Sequence, residues 1–137
     1  MDTQILVLGG SLAAILALAG IAWALRLGEP LRIDDPNHAK ALAREADTAF
    51  APAEAAVCEE GGAAIVADAA GRIMVLRRHG AHIAGRVLDP GASARVEHGT
   101  LTVVPTDRTY GPVALKLSEH AQSWAARVDG VSRRDDA

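Results

Sequence analysis

Ile5–Leu25 reads ILVLGGSLAAILALAGIAWAL, 21 residues without a charge. As a single helix rising about 1.5 Å per residue it covers the roughly 30 Å hydrocarbon core of a bilayer. Trp23 stands near its C-terminal end, where an interfacial indole belongs, and Arg26 closes the run. A soluble protein is a poor host for this helix, because the remaining residues could hardly enclose it on every side. The expected layout therefore begins with a short external N-terminus (residues 1–4) and a transmembrane helix (residues 5–27) in contact with the lipid bilayer.

Ala22-Trp23-Ala24 also fits the small-x-small pattern of a signal-peptide cleavage site. Two features oppose that reading. The residues before the span are Met-Asp-Thr-Gln, with an acid where a signal peptide carries Lys or Arg, and the apolar run is longer than an ordinary h-region. The segment is expected to be retained. No basic residue precedes the span, whereas Arg26, Arg32, Lys40 and Arg44 follow it. The positive-inside rule then sets the N-terminus outside and the following domain in the cytoplasm, on the inner (plasma) membrane. The layout resembles that of bacterial single-span membrane proteins. Gly10, Ala14 and Ala17 recur along one side of the helix, a surface that admits close approach of a second helix and so self-association.

Outward from the span, Gly28-Glu29-Pro30 breaks the helix and opens a linker (residues 28–35). Asp35 and Pro36 then mark a new start as N-cap and first helical residue. Ala39, Leu42, Ala43, Ala46, Ala49 and Phe50 recur at three- and four-residue spacing, an amphipathic helix. Pro52 ends or kinks it, and Ala53 to Glu59 would add a second short helix. Residues 36–60 are thus expected to be a helical stalk or a lid.

After Gly61-Gly62 the texture changes to short β-like runs separated by turn signals. Asp68-Ala69-Ala70-Gly71, Gly80-Ala81 and His98-Gly99 read as turns, the last placing Val96 opposite Leu101. Val113, Leu115 and Leu117 alternate with polar or small residues, a half-buried strand. Ser118 is the expected N-cap of a final helix whose stripe Ala121, Trp124, Ala125 and Val128 faces the core. The expected core is Val113, Leu115, Leu117, Trp124 and Val128. The fold class is α+β: a small antiparallel sheet or partly open barrel of five to six strands with a C-terminal helix (residues 61–129), then a disordered tail (residues 130–137).

Strands followed by a helix carrying a Trp resemble, in outline, the pleckstrin-homology-like superfold. The resemblance covers Ala56 to Val128 and rests on the ending LKLSEHAQSWAARV, with Trp124 where that family often places a core Trp. It implies a bent β-barrel with a C-terminal helix capping one end. This sequence shows fewer strands than the family's seven and no basic first hairpin of the kind that grips phosphoinositides, so no ligand follows from the outline.

Composition narrows the chemistry. The chain has 137 residues, 14 Lys+Arg against 17 Asp+Glu, and a net charge of −3, without the basic excess of a nucleic-acid binder. One cysteine leaves no internal disulfide and no multi-Cys zinc site. Cys58 precedes Glu59-Glu60, and adjacent carboxylates disfavour a reactive thiolate. His79 and His82 would face each other across a hairpin mouth, two ligands where a metal needs three or four. Arg72, Arg77, Arg78 and Arg86 make the middle hairpin basic, a surface for an acidic partner or for anionic headgroups. The expectation is an accessory subunit or adaptor with a protein partner and no cofactor. The alternatives are a small metal-binding or hydrolytic domain and an anionic-lipid sensor.

Overall fold

A computed structural model describes residues 2–25 and 31–133. The chain divides into two units, residues 1–30 and residues 31–137. The first is helix α1, Thr3–Ala24. Its most apolar 18-residue window reaches a mean hydropathy of 2.4, and none of its 22 residues is buried. Leu6, Leu8, Leu12, Leu16 and Leu18 are all more than half exposed, so apolar groups surround the axis. A helix apolar on every side is stable only where its surroundings are apolar too. At about 1.5 Å per residue its length matches a bilayer core. The unit is long and apolar enough to cross a membrane, as a single-pass protein requires. The expected break at Gly28-Glu29-Pro30, and Arg26 at the end of the span, lie outside the described residues.

In the second unit, α2 (Pro36–Ala46) starts where its caps dictate: Asp35 Oδ1 accepts the His38 N–H at 2.8 Å, and Pro36 occupies the first turn. The helix is shorter than the expected stalk of residues 36–60. It ends at Asp47, and Pro52–Val57 is strand β1 rather than a second helix. Alanine favours helix intrinsically, but here the pairing of Ala55 with Val66 and Ala56 with Ile65 outweighs that preference. Nor does α2 stand free. Ala39 and Ala43 are fully buried and pack, with Ile33 and Phe50, on Ala64, Val66, Met74 and Leu76.

Among the described residues seven strands form two antiparallel sheets, against the five or six expected. The first is ordered β1-β2-β3-β4, with β2 Ala63–Asp68, β3 Ile73–His79 and β4 His82–Val87. The second is ordered β5-β6-β7, with β5 Ser93–Glu97, β6 Thr100–Val104 and β7 Val113–Lys116. The sheets do not close into a barrel. The bent barrel that the family resemblance implied is thus not formed; four strands, then three, then a helix follow one another along the chain. The β5–β6 turn is type I′: His98 and Gly99 take φ of 51° and 77°, and Val96 pairs with Leu101.

Every residue of β2 is buried, because the sheet is covered on both faces. Ala64 and Val66 point to α2, while Ala63, Ile65 and Ala67 point to the second sheet and the C-terminal helix. That second core holds Val113, Leu115, Leu117, Trp124 and Val128. The C-terminal helix, α3 (Ala121–Arg133), follows a 3-10 turn at Ser118–His120. Ser118 is not its N-cap: the residue has φ 53° and its hydroxyl donates to Glu59 Oε1 at 2.9 Å. Gly130 does not stop the helix either. Val131 packs on the core and the Ser132 hydroxyl donates to the Ala92 carbonyl at 2.6 Å, which holds one more turn. The expected tail at residues 130–137 is therefore helical as far as Arg133, and its last four residues lie outside the described residues.

Candidate functional site

A cavity of about 600 Å³ forms a groove between β1 and the start of α3. Ligand sites commonly have volumes in this range. One wall is the free edge of β1, which is the outermost strand of its sheet. In this ladder the Cys58 N–H donates to the Ala63 carbonyl at 3.0 Å. Antiparallel alternation then turns the N–H and C=O of Cys58, Ala56 and Glu54 toward β2, and those of Ala55 and Val57 away from it. Among the described residues, nothing hydrogen-bonds to the outward groups of Ala55 and Val57, and both residues line the groove.

The other wall comes from the 3-10 turn and the first half of α3, with Ser123, Trp124 and Arg127. The Arg127 guanidinium lies 4.8 Å from the Trp124 ring centroid, and its Nη2 donates to Glu54 Oε2 at 2.6 Å, an ion pair from wall to wall. At the opposite end Glu59 takes the Ser118 hydroxyl and pairs with Lys116 Nζ at 3.6 Å. Ser118 is one of two non-glycine residues with positive φ among those described, a local cost that its Glu59 bond and the Gly99 carbonyl offset. Ser118 is not arranged as a nucleophile. Its proton goes to a carboxylate, and His120, the nearest imidazole in sequence, contacts Glu119 at 3.6 Å.

The histidine, arginine, cysteine and small-residue candidates singled out from the sequence lie elsewhere. His79 and His82 are a cross-strand pair at the exposed β3–β4 turn. Among the described residues no three His, Cys, Asp or Glu side chains stand together as metal ligands. The four arginines do not share one face. Arg72 donates to Asp68 Oδ2 and to the Ala49 carbonyl, both at 2.7 Å, and covers Phe50. Arg78 donates to the Leu31 carbonyl at 2.9 Å. On the opposite face of the sheet Arg77 and Arg86 lie 4.7 and 5.7 Å from the Tyr110 ring centroid, and Arg86 pairs with Asp107 at 2.9 Å. Cys58 is buried in the core between the sheets. Gly10, Ala14 and Ala17 are exposed on α1.

Among the described residues three groups titrate away from their ordinary values, and all three are structural. Burial alone would raise the Asp68 carboxyl, but the N–H and guanidinium of Arg72 and the N–H of Ala70 hold it below the ordinary range. Hydrogen bonds from the Thr109 hydroxyl and N–H, with Arg86 nearby, lower Asp107. Burial pushes the Tyr110 hydroxyl up to about 12, against the opposing pull of Arg77 and Arg86.

The groove could not be read from the sequence, because its walls are about sixty residues apart along the chain. The one local signal was Pro52, a residue that sheets tolerate at the start of an edge strand. The chain matches no protein-family model, and comparison with curated proteins and with solved structures gives no match.

Proposed function

We propose that the chain is a single-pass membrane protein that holds a small interaction module at the cytoplasmic face of the inner membrane, as an accessory subunit or adaptor. The observation that carries this reading is the groove, where an open strand edge faces a helix across a cavity of about 600 Å³. A catalytic pocket would bring a nucleophile to a base or gather metal ligands. This one offers unpaired backbone groups and internally neutralised charges, the equipment of recognition. The span supports the membrane location, and the basic residues Arg32, Lys40 and Arg44 after it support the orientation. Self-association through Gly10, Ala14 and Ala17 is compatible with the same role.

Purification of the full chain after mild detergent extraction tests the proposal, and a stoichiometric protein partner is the expected result. A chain that purifies alone under every mild condition overturns it. A fluorescent protein that matures only in the cytoplasm, fused at the C-terminus, should glow. Activity from a periplasm-dependent phosphatase at the same position instead reverses the topology.

A further inference from the structure

The β1 edge already shows the kind of bond it makes. Residues Ala55, Val57 and Glu59 alternate outward, and the Glu59 N–H donates to the Lys116 carbonyl at 3.2 Å. The chain's own β7 therefore adds to this edge for one backbone bond. Its path then turns off through the strained Ser118 into α3. Beyond that point the groups of Ala55 and Val57 continue the same row unfilled, beside a cavity walled on its far side by Trp124 and Arg127.

We propose that this groove receives one extended segment of a partner protein, which adds to the outer edge of β1 as a further strand. The inference rests on the interaction-module reading and names the class of partner. Two properties of the groove select the occupant. Its hydrogen-bonding groups recur every second residue along an edge, a spacing that another extended backbone matches. Its charges are met in pairs, Glu54 with Arg127 at one end and Glu59 with Lys116 at the other, while Glu119 at the exposed rim contacts His120 at 3.6 Å. Between them the half-buried Ala56 and the narrow exposed margins of Leu117 and Trp124 line the groove. A charged side chain brought there would be desolvated without a free counter-charge, so the occupant is uncharged at its centre and presents apolar side chains at alternate positions. The cavity between the β1 edge and the α3 wall, about 600 Å³, is where that one strand would lie.

The test uses the full chain in detergent and a phage-displayed library of random peptides as the probe. The expected selection is peptides with period-two apolar residues and no central charge. On binding of a synthetic selected peptide, the amides of Ala55 and Val57 should become protected from hydrogen exchange. Ala55→Pro removes a donor that points away from β2, and edge strands tolerate proline. It should weaken peptide binding about tenfold or more while leaving the thermal melt of the domain in place. If that variant unfolds, Ser123→Trp, at an exposed position on the α3 wall, fills the groove and serves the same purpose.

Binding that leaves the Ala55 and Val57 amides unprotected, or that survives both variants, overturns the proposal. So does a selection that yields no binder. A concentration-dependent dimer that Ala55→Pro converts to monomer would assign the edge to a second copy of the chain and equally overturn it. A partner that co-purifies with the Ala55→Pro chain as well as with the parent leaves the adaptor reading standing and removes this one. Peptide binding at β1 without any co-purifying partner does the reverse.

Discussion

The Tyr110 hydroxyl donates to the Ala84 carbonyl at 2.8 Å and lies 3.2 Å from that of Val75. It pins the loop before β7 to β3 and β4, strands of the other sheet. Arg77 and Arg86 cover its ring, so the clasp is buried on its apolar side and hydrogen-bonded at its polar end. The hydroxyl stays protonated in the folded chain to about pH 12, whereas the unfolded chain ionises near 10. The stability it contributes is fully present below pH 10 and is lost as pH rises from there toward 12. Tyr110 is the sole tyrosine, so absorbance of the tyrosinate reports the transition directly. Tyr110→Phe should cost about 1 kcal/mol at neutral pH and abolish this alkaline loss. An ionisation near pH 10 in the folded protein would refute the clasp.

Asp68 gives the opposite sign. Its side chain accepts the N–H groups of Ala70 and Arg72 at 2.9 and 2.8 Å and the Arg72 Nε at 2.7 Å. A carboxyl held below its ordinary value contributes stability that is present above about pH 4 and lost as pH falls through the folded-state value. Asp68→Asn should cost about 1–3 kcal/mol at pH 7 and flatten the acid limb of the stability profile. Urea unfolding of the detergent-solubilised chain across pH 2–7 measures both. An unchanged acid limb in the variant would locate the sensitivity elsewhere.

Trp124 anchors α3 on the core between the sheets, with neighbours Ala121, Ala125 and Val128 too small to hold the helix alone. Trp124→Ala should cost about 3–5 kcal/mol, seen as a lowered urea midpoint by circular dichroism. His79→Ala and His82→Ala, at an exposed hairpin end, should each change stability by less than about 1 kcal/mol. A large loss from either histidine would restore a metal site to consideration.

Gly85 sets how closely α2 approaches the sheet. A Cβ added there would stand 2.8 Å from the Ala46 Cβ and 3.0 Å from Leu76 Cδ2. Gly85→Val should push the end of α2 outward and cost about 1–3 kcal/mol. Accelerated amide exchange in α2, with α3 unchanged, is the specific signature, and equal acceleration in both helices would argue against a local effect.

Most of the fold was legible where the chain carries its own punctuation. The charge-free run Ile5–Leu25, the Asp35-Pro36 start and the turns at Gly80-Ala81 and His98-Gly99 each encode local geometry. The errors fall where tertiary pairing overrode a local preference. Ala53 to Val57 looks helical by composition and becomes a strand because β2 needs a neighbour. Gly130 looks like a stop and is carried inside α3 by Val131 and Ser132. The groove was illegible for a related reason. Its hydrogen-bonding groups are backbone atoms of Ala55 and Val57, whose side chains say nothing about which way an amide points.

The burial of β2 on both faces has a consequence for how the domain comes apart. Ala64 and Val66 belong to one core and Ala63, Ile65 and Ala67 to the other, all on five consecutive residues of β2. Neither core can open its β2 side without disturbing the strand that the other core also uses. Domains with separable cores melt in stages, as independent foldons, whereas here the shared strand binds the two into one cooperative unit. The amides of β2 should then exchange only through global unfolding, and at one common rate.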